Sequence, residues 1–324
     1  MKKVIITGAC GFLGNRLTEA FIKHGIAVYA LDCVESISRH ELIKFHECDI
    51  EKNVLPFDDD LKNADVLFHF AWNGVHPDYR NDYERQLKNI PSLINVLSFT
   101  QNLNVSKIII PGSASEYAAS EMPITGNNTP GAIDGYGAAK SACHAISRAW
   151  SVQNKLPLIW VVPSSIYGPG RNDNNTLTYA IKALLKVERP TFTALEQRWD
   201  YIYIDDFIKA LVLTAEKGIA GKNYALGYGI AKELREYINL IRDSIDPTLP
   251  LGIGERPYKG EKPDNSEIDI SELQKDTGFK PEVSFEEGIK KTIEWYKKVL
   301  ILERRNHTAG NTYDEIKPTF RVSK

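Results

Sequence analysis

Tyr136 and Lys140 stand four residues apart in the stretch GAIDGYGAAKSACHAISRAW at 131–150, where a helical pattern begins. A tyrosine can exchange a proton with a carbinol or ketone oxygen while a hydride moves at the carbon. Its ordinary pKa of about 10 makes it a poor base near neutrality. A nearby ammonium favours the phenolate and brings it closer to the working range. Residues i and i+4 share a helix face, so Lys140 can stand beside Tyr136. A hydroxyl from a strand end would then polarise the substrate oxygen. Spacing alone does not decide, because the same Tyr–Lys interval recurs at Tyr228/Lys232, Tyr258/Lys262 and Tyr313/Lys317. Only Tyr136 follows a strand-like run through a loop, opens a helix and has a serine-bearing strand end, GSASEY at 112–117, upstream.

A second constellation is TGACGFLG at 7–14, with Gly8, Gly11 and Gly14 between an apolar run and a helical one. Glycine tolerates positive φ and lets backbone approach a pyrophosphate, whose charge favours a helix N-terminus. The loop follows a strand and opens a helix, the context a dinucleotide fingerprint requires. Its spacing is G-x-x-G-x-x-G rather than the commoner G-x-G-x-x-G. Asp32 closes the next apolar run, where a carboxylate would accept hydrogen bonds from ribose hydroxyls and repel a 2′-phosphate. NAD is therefore expected, with NADP as the alternative because Arg39 is near enough in sequence to meet a phosphate.

The elements that must position these residues alternate. A β-branched apolar run at 2–7 reads as a buried parallel strand, and runs at 27–32, 42–50, 65–72, 106–113 and 156–165 read as five further strands. Helical patterns fall between them, notably over roughly 80–103 and 136–154. Such alternation predicts an α/β fold, a Rossmann-type doubly wound parallel sheet with right-handed crossovers. Ligands in such sheets bind beyond the carboxyl ends of the strands. After about 170 the alternation fades into helices at 174–190 and 231–245 with a strand-then-helix run at 198–218 between them, and a terminal helix at about 285–300. The expected organisation is a cofactor domain over 1–170, a smaller substrate lobe over 171–303 interleaved with it, and a polar tail over 304–324.

The TGxxGxxG loop, the YxxxK pair and YGPG at 167–170 make the chain resemble the extended short-chain dehydrogenase/reductase family, its nucleotide-sugar-modifying branch. The likeness spans about residues 2 to 300. It implies Ser113, Tyr136 and Lys140 as catalytic residues, with Ser113 counted back from Tyr117 and Ser115 as the competing hydroxyl. It implies a cofactor site of Gly8, Gly11, Phe12, Leu13, Gly14, Asp32, Asp49 and Ile50 (in CDI at 48–50), Phe70 and Ala71 (in HFAW at 69–72), Asn89, Tyr136, Lys140 and Pro163. Ser113, Ser115, Tyr136, Ser165 and Arg256 are the substrate-binding candidates. Two departures bear on specificity. In PSSIYGPG at 163–170, Val162 and Ser165 stand where the family has Arg and Asn, and in QRWDYIYIDD at 197–206, Trp199 takes the place of a diphosphate-gripping Arg. Arg198 is one residue early, which in a strand turns it to the opposite face; Arg256 is the substitute.

The family carries out several reactions on one scaffold. A sugar 4,6-dehydratase needs an Asp-Glu pair directly after the catalytic hydroxyl, and here Ala114 and Ser115 follow Ser113. The expected function is therefore hydride transfer at C4 of a nucleotide-linked sugar, by a 4-ketoreductase of a 4-keto-6-deoxy sugar or by a 4-epimerase. A reading from another class is a regulator that senses NAD(P) without turnover; such proteins usually lack the Tyr–Lys pair. The resemblance also implies a homodimer formed through the helices at about 83–103 and 137–153.

Bulk properties agree with this. The 324 residues carry 43% hydrophobic and 25% charged side chains and a net charge of -2, which give no reason to expect nucleic acid or an anionic membrane as partner. No apolar run approaches the roughly 20 residues of a membrane span. Four cysteines and seven histidines show no metal spacing, so a metal-free, reduced, cytoplasmic protein is expected.

Overall fold

A computed structural model describes residues 1–52, 55–56, 58–171, 173–258 and 266–308. Six strands appear where the apolar runs predict them: β1 (Lys3–Thr7), β2 (Ala27–Asp32), β3 (Ile43–Glu47), β4 (Val66–His69), β5 (Ile108–Pro111) and β6 (Leu158–Pro163). Short strands β7 (Ser165–Tyr167), β8 (Arg198–Trp199) and β9 (Tyr201–Tyr203) follow, then β10 (Asn223–Leu226) and β11 (Lys232–Glu233). The helices are α1 (Phe12–Lys23), α2 (Tyr83–Gln101), α3 (Gly135–Asn154), α4 (Thr176–Leu185), α5 (Ile204–Lys217), α6 (Leu234–Ile245), α7 (Ser271–Thr277) and α8 (Phe285–Thr308).

The main sheet has seven strands in the order β10-β6-β5-β4-β1-β2-β3. Every pairing in it is parallel. Its central strands are buried on both faces, which explains their unbroken apolar runs: Ile108, Ile109 and Ile110 of β5 and Ile159 to Val162 of β6 are all buried. The order reverses between β1 and β4, the crevice where a parallel sheet binds ligands.

Two features differ from the sequence expectation. The run 156–165 is not one strand: Ser164 N–H still donates to the Leu226 carbonyl in the main sheet, while Ser165 N–H donates to Asp200, and Ser165 pairs with Tyr201 in a separate two-stranded sheet. The seventh main-sheet strand, β10, comes from the second half of the chain. Its four residues, NYAL, contain no β-branched side chain and so carried little strand signal.

Outside the main sheet, α4, α6 and α8 pack on one another, and β8 pairs antiparallel with β11. Backbone helicity in α8 continues past the expected boundary at 303 to Thr308. The rest of the polar tail lies outside the described residues, as do Lys262, Tyr313 and Lys317. No helix among the described residues is long and apolar enough to cross a membrane.

Candidate active site

The glycine turn joins β1 to α1 at the crevice. Gly8 has φ +69, and a Cβ on it would come within 2.6 Å of the Ala71 amide nitrogen; only glycine lets the β1 and β4 ends approach this closely. Gly11 is the N-cap of α1 without any side-chain cap, and no acidic residue occupies the first turn. Phe12 and Leu13 are half-buried and Gly14 is buried. The first N–H groups of α1 are thus left open to an anion, and this cradle fits a dinucleotide pyrophosphate.

Asp32 ends β2 beside it. Its Oδ2 accepts from Cys10 N–H at 2.9 Å and its Oδ1 from Cys33 N–H at 2.8 Å. Asp49 caps its own turn, with Oδ1 accepting from Glu51 N–H at 3.0 Å and Oδ2 3.0 Å from Lys52 Nζ. That ammonium holds the Asp49 carboxyl below its ordinary pKa. Ile50 opens the same short turn. Phe70 donates its N–H to the Thr7 carbonyl and stacks on Phe68, so it and Ala71 line the end of β4. Pro163 ends β6 opposite Leu226.

The Tyr–Lys question is answered by burial. On α3 the buried positions include Tyr136, Ala139, Lys140, Cys143 and Ser147, one helical face turned to the protein. Asp134 caps this helix by accepting from Gly137 N–H at 2.7 Å. A Cβ on Gly137 would lie 2.3 Å from the Ser115 carbonyl oxygen, so the glycine lets α3 start directly against the turn after β5. That turn, Ala114–Tyr117, is capped by Ser113, and Glu116 Oε1 accepts from Ser113 N–H at 2.7 Å. Ser113 and Tyr136 are thereby brought together: burial raises the phenol's pKa, and the Arg80 charge and then the Ser113 hydroxyl act against that rise.

Lys140 Nζ donates to the carbonyl of Pro111 at 2.9 Å, in the last residue of β5. It lies 3.7 Å from the centre of the Trp72 ring, and Trp72 meets Tyr136 edge-on at 5.8 Å. Burial lowers the lysine pKa to about 8, with Cys143 and Glu116 acting against that fall. Behind it His69 Nδ1 bonds Thr7 Oγ1 at 2.7 Å. Burial and then the Lys140 charge lower its pKa to about 3, so it is neutral.

Other candidates are placed differently. Asn89 does not bond Tyr136 or Lys140; it clamps Asn73, accepting from its N–H at 2.8 Å and donating to its carbonyl at 2.9 Å. Ser115 Oγ accepts from Arg80 Nη2 at 2.5 Å. Ser165 Oγ accepts from Trp199 Nε1 at 2.6 Å. Arg198 faces away, donating to Glu267 at 2.6 Å and to the Ala231 carbonyl. Arg256 donates to Thr191 Oγ1 at 2.6 Å and Tyr179 Oη at 3.0 Å, outside the Ser–Tyr–Lys group. Of the other Tyr–Lys pairs, Tyr228/Lys232 is not on a helix, and Lys232 lies in β11. Sequence reasoning missed Arg80: the helical pattern reads from about 80, whereas α2 begins at Tyr83 and Arg80 lies in the turn before it.

The parallel sheet, its switch point and the glycine turn define a Rossmann-type protein of the extended short-chain dehydrogenase/reductase class. The chain belongs to the NAD dependent epimerase/dehydratase family, which its residues 4–227 match. It is 24% identical to the UDP-glucuronate 4-epimerase of Thermodesulfobacterium geofontis, over 90% of this chain and 95% of that one. It is 22% identical to the dTDP-glucose 4,6-dehydratase of Escherichia coli, over 91% and 92% of the two chains. The solved UDP-N-acetylglucosamine 4-epimerase of Methanobrevibacter ruminantium, in complex with UDP-N-acetylmuramic acid, superimposes with a TM-score of 0.81 at 23% identity, over 92% of this chain and 99% of that one.

Proposed function

We propose that this protein is an NAD-dependent oxidoreductase acting on a nucleotide-linked sugar by hydride transfer at C4, either as a 4-ketoreductase of a 4-keto-6-deoxy sugar or as a 4-epimerase. The observation that carries the reading is the buried Tyr136, facing Ser113, one helical turn from a Lys140 anchored on the β5 end. NAD, when bound, supplies or accepts the hydride. The chain's own residues do the rest. Gly8, Gly11 and the open start of α1 hold the pyrophosphate, and Asp32 meets the adenosine ribose and disfavours a 2′-phosphate; the exposed Arg39 keeps NADP as the alternative. Tyr136 gives or takes the proton of the C4 oxygen, Ser113 donates a hydrogen bond to that oxygen, and Lys140 adds positive charge. Ser115, Ser165 and Arg256 are assigned to the sugar and diphosphate, and residues 1–170 are the cofactor domain.

Dehydration is disfavoured by the surroundings of Ser113. Glu116 is fully buried, with Oε1 accepting from Ser113 N–H and from Trp160 Nε1, so it is walled off from a substrate at Ser113. A homodimer through α2 and α3 is supported by exposed Tyr83 and Leu87 on the first and Val152 on the second.

The test mixes the protein with NADH or NADPH and nucleotide-linked 4-keto-6-deoxy sugars and follows the reduced cofactor. Stoichiometric consumption identifies a ketoreductase. No consumption, with NAD released on denaturation, identifies an epimerase. Neither, on any 4-keto or 4-hydroxy nucleotide sugar, would overturn the reading.

A further inference from the structure

Arg80 precedes α2 and reaches across to the start of α3. Its Nε donates to Asp134 Oδ2 at 2.7 Å and its Nη2 to Ser115 Oγ at 2.5 Å. Its guanidinium carbon lies 4.6 Å from the centre of the Tyr136 ring. Lys140 Nζ is 5.9 Å from that centre and is engaged by the Pro111 carbonyl and the Trp72 indole. Arg80 is thus the closer of these two cations to the ring. Its charge is permanent, whereas an ammonium shifts its proton affinity readily on burial.

We propose, on the reading that Tyr136 is the acid/base, that Arg80 is the positioning residue that holds a cation on the Tyr136 ring and sets how readily the phenol ionises, with Asp134 attenuating that charge. Arg80 thereby couples the loop after β4 to the proton-transfer step. The other charged groups facing Tyr136 are Glu116 and Asp134, both opposing ionisation, and Lys140 one turn along α3; neutral His69 stands behind Lys140. Burial raises the phenol's pKa, and the Arg80 charge and the Ser113 hydroxyl work against that rise. The Arg80–Asp134 pair is about a quarter exposed, 32% and 21%, so water screens it and its influence is moderate.

The two partners therefore pull in opposite directions, and the test uses this. Tyr136 ionisation is read in the NAD-bound protein as the tyrosinate absorbance that Tyr136→Phe removes, beside the pH profile of turnover. Arg80→Met is expected to raise the ionisation pH by about one unit or more. Arg80→Lys is expected to restore most of it. Asp134→Asn keeps an N-cap acceptor and is expected to lower it. An unmoved titration in folded Arg80→Met, or shifts of the same sign in Arg80→Met and Asp134→Asn, would overturn the proposal. If Arg80→Met does not fold, the sign of the Asp134→Asn shift decides. The absorbance needs no substrate, so a flat titration sinks Arg80 alone, while a shifted one without turnover on any nucleotide sugar sinks the proposed function alone.

Discussion

The indole N–H of Trp199 donates to the Ser165 hydroxyl at 2.6 Å, joining two of the positions where the chain departs from the pattern it resembles. Ser165 stands for the usual Asn and Trp199 for the usual Arg, and the serine oxygen satisfies the indole's one donor. Arg198, paired with Glu233 at the β8 edge, points to Glu267, while the neighbouring Trp199 turns its indole to Ser165.

Ser165→Ala leaves this indole donor half-buried without its partner. It should cost about 1–2 kcal/mol in urea unfolding. Combining it with Trp199→Phe removes both partners, so the double variant should lose less than the sum of the two single losses. Strict additivity would mean the bond contributes nothing.

Tyr136→Phe keeps the ring between Trp72 and Arg80 and removes only the hydroxyl. Turnover should fall by about 10²–10⁴ with an unchanged melting temperature. Intact turnover in the folded variant would show that Tyr136 is not the acid/base.

Gly137→Ala should destabilise the protein by about 1–3 kcal/mol, because its Cβ would meet the Ser115 carbonyl oxygen at 2.3 Å. Turnover should drop as well, since any relief moves the start of α3 and Tyr136 with it. Ala138→Ser, one residue on and exposed, is the control and should change stability by less than about 0.5 kcal/mol. Equal effects from both would refute the close approach.

His69 gives the protein an acid limit. Its folded pKa of about 3 lies below the unfolded value of about 6.5, so between these the unfolded chain binds more protons. Stability should be full above about pH 6.5 and fall as pH drops toward 3, by at most about 1.4 kcal/mol per pH unit from this residue. His69→Gln should flatten that slope, whatever it does to stability at neutral pH. A slope unchanged by the substitution would place the acid sensitivity elsewhere.

Local pattern was enough for much of the fold. Thr7 to Gly14, the apolar run 108–110 and the i, i+4 placement of Tyr136 and Lys140 are written in neighbouring residues, because strand and helix hydrogen bonds and the burial of one face follow from period. The class of fold, the glycine cradle and the candidate pair were therefore legible. The weak run at 223–226 was not, since a short strand without β-branched residues gains its stability from β6 rather than from itself.

What the sequence by itself determined is the alternating sheet and the residues able to do proton and hydride chemistry. Only the tertiary structure decided which of them meet. Arg80 and Asp134 are 54 residues apart, Lys140 and Pro111 29, and Trp199 and Ser165 34. Contacts at such separations have no sequence period. They exist because α2 packs against α3 and because β5 and α3 converge at one end of the sheet. The burial that results, with charges held close in a low-dielectric surrounding, is what sets Tyr136/Lys140 apart from Tyr228/Lys232, the other Tyr–Lys interval that lies wholly among the described residues.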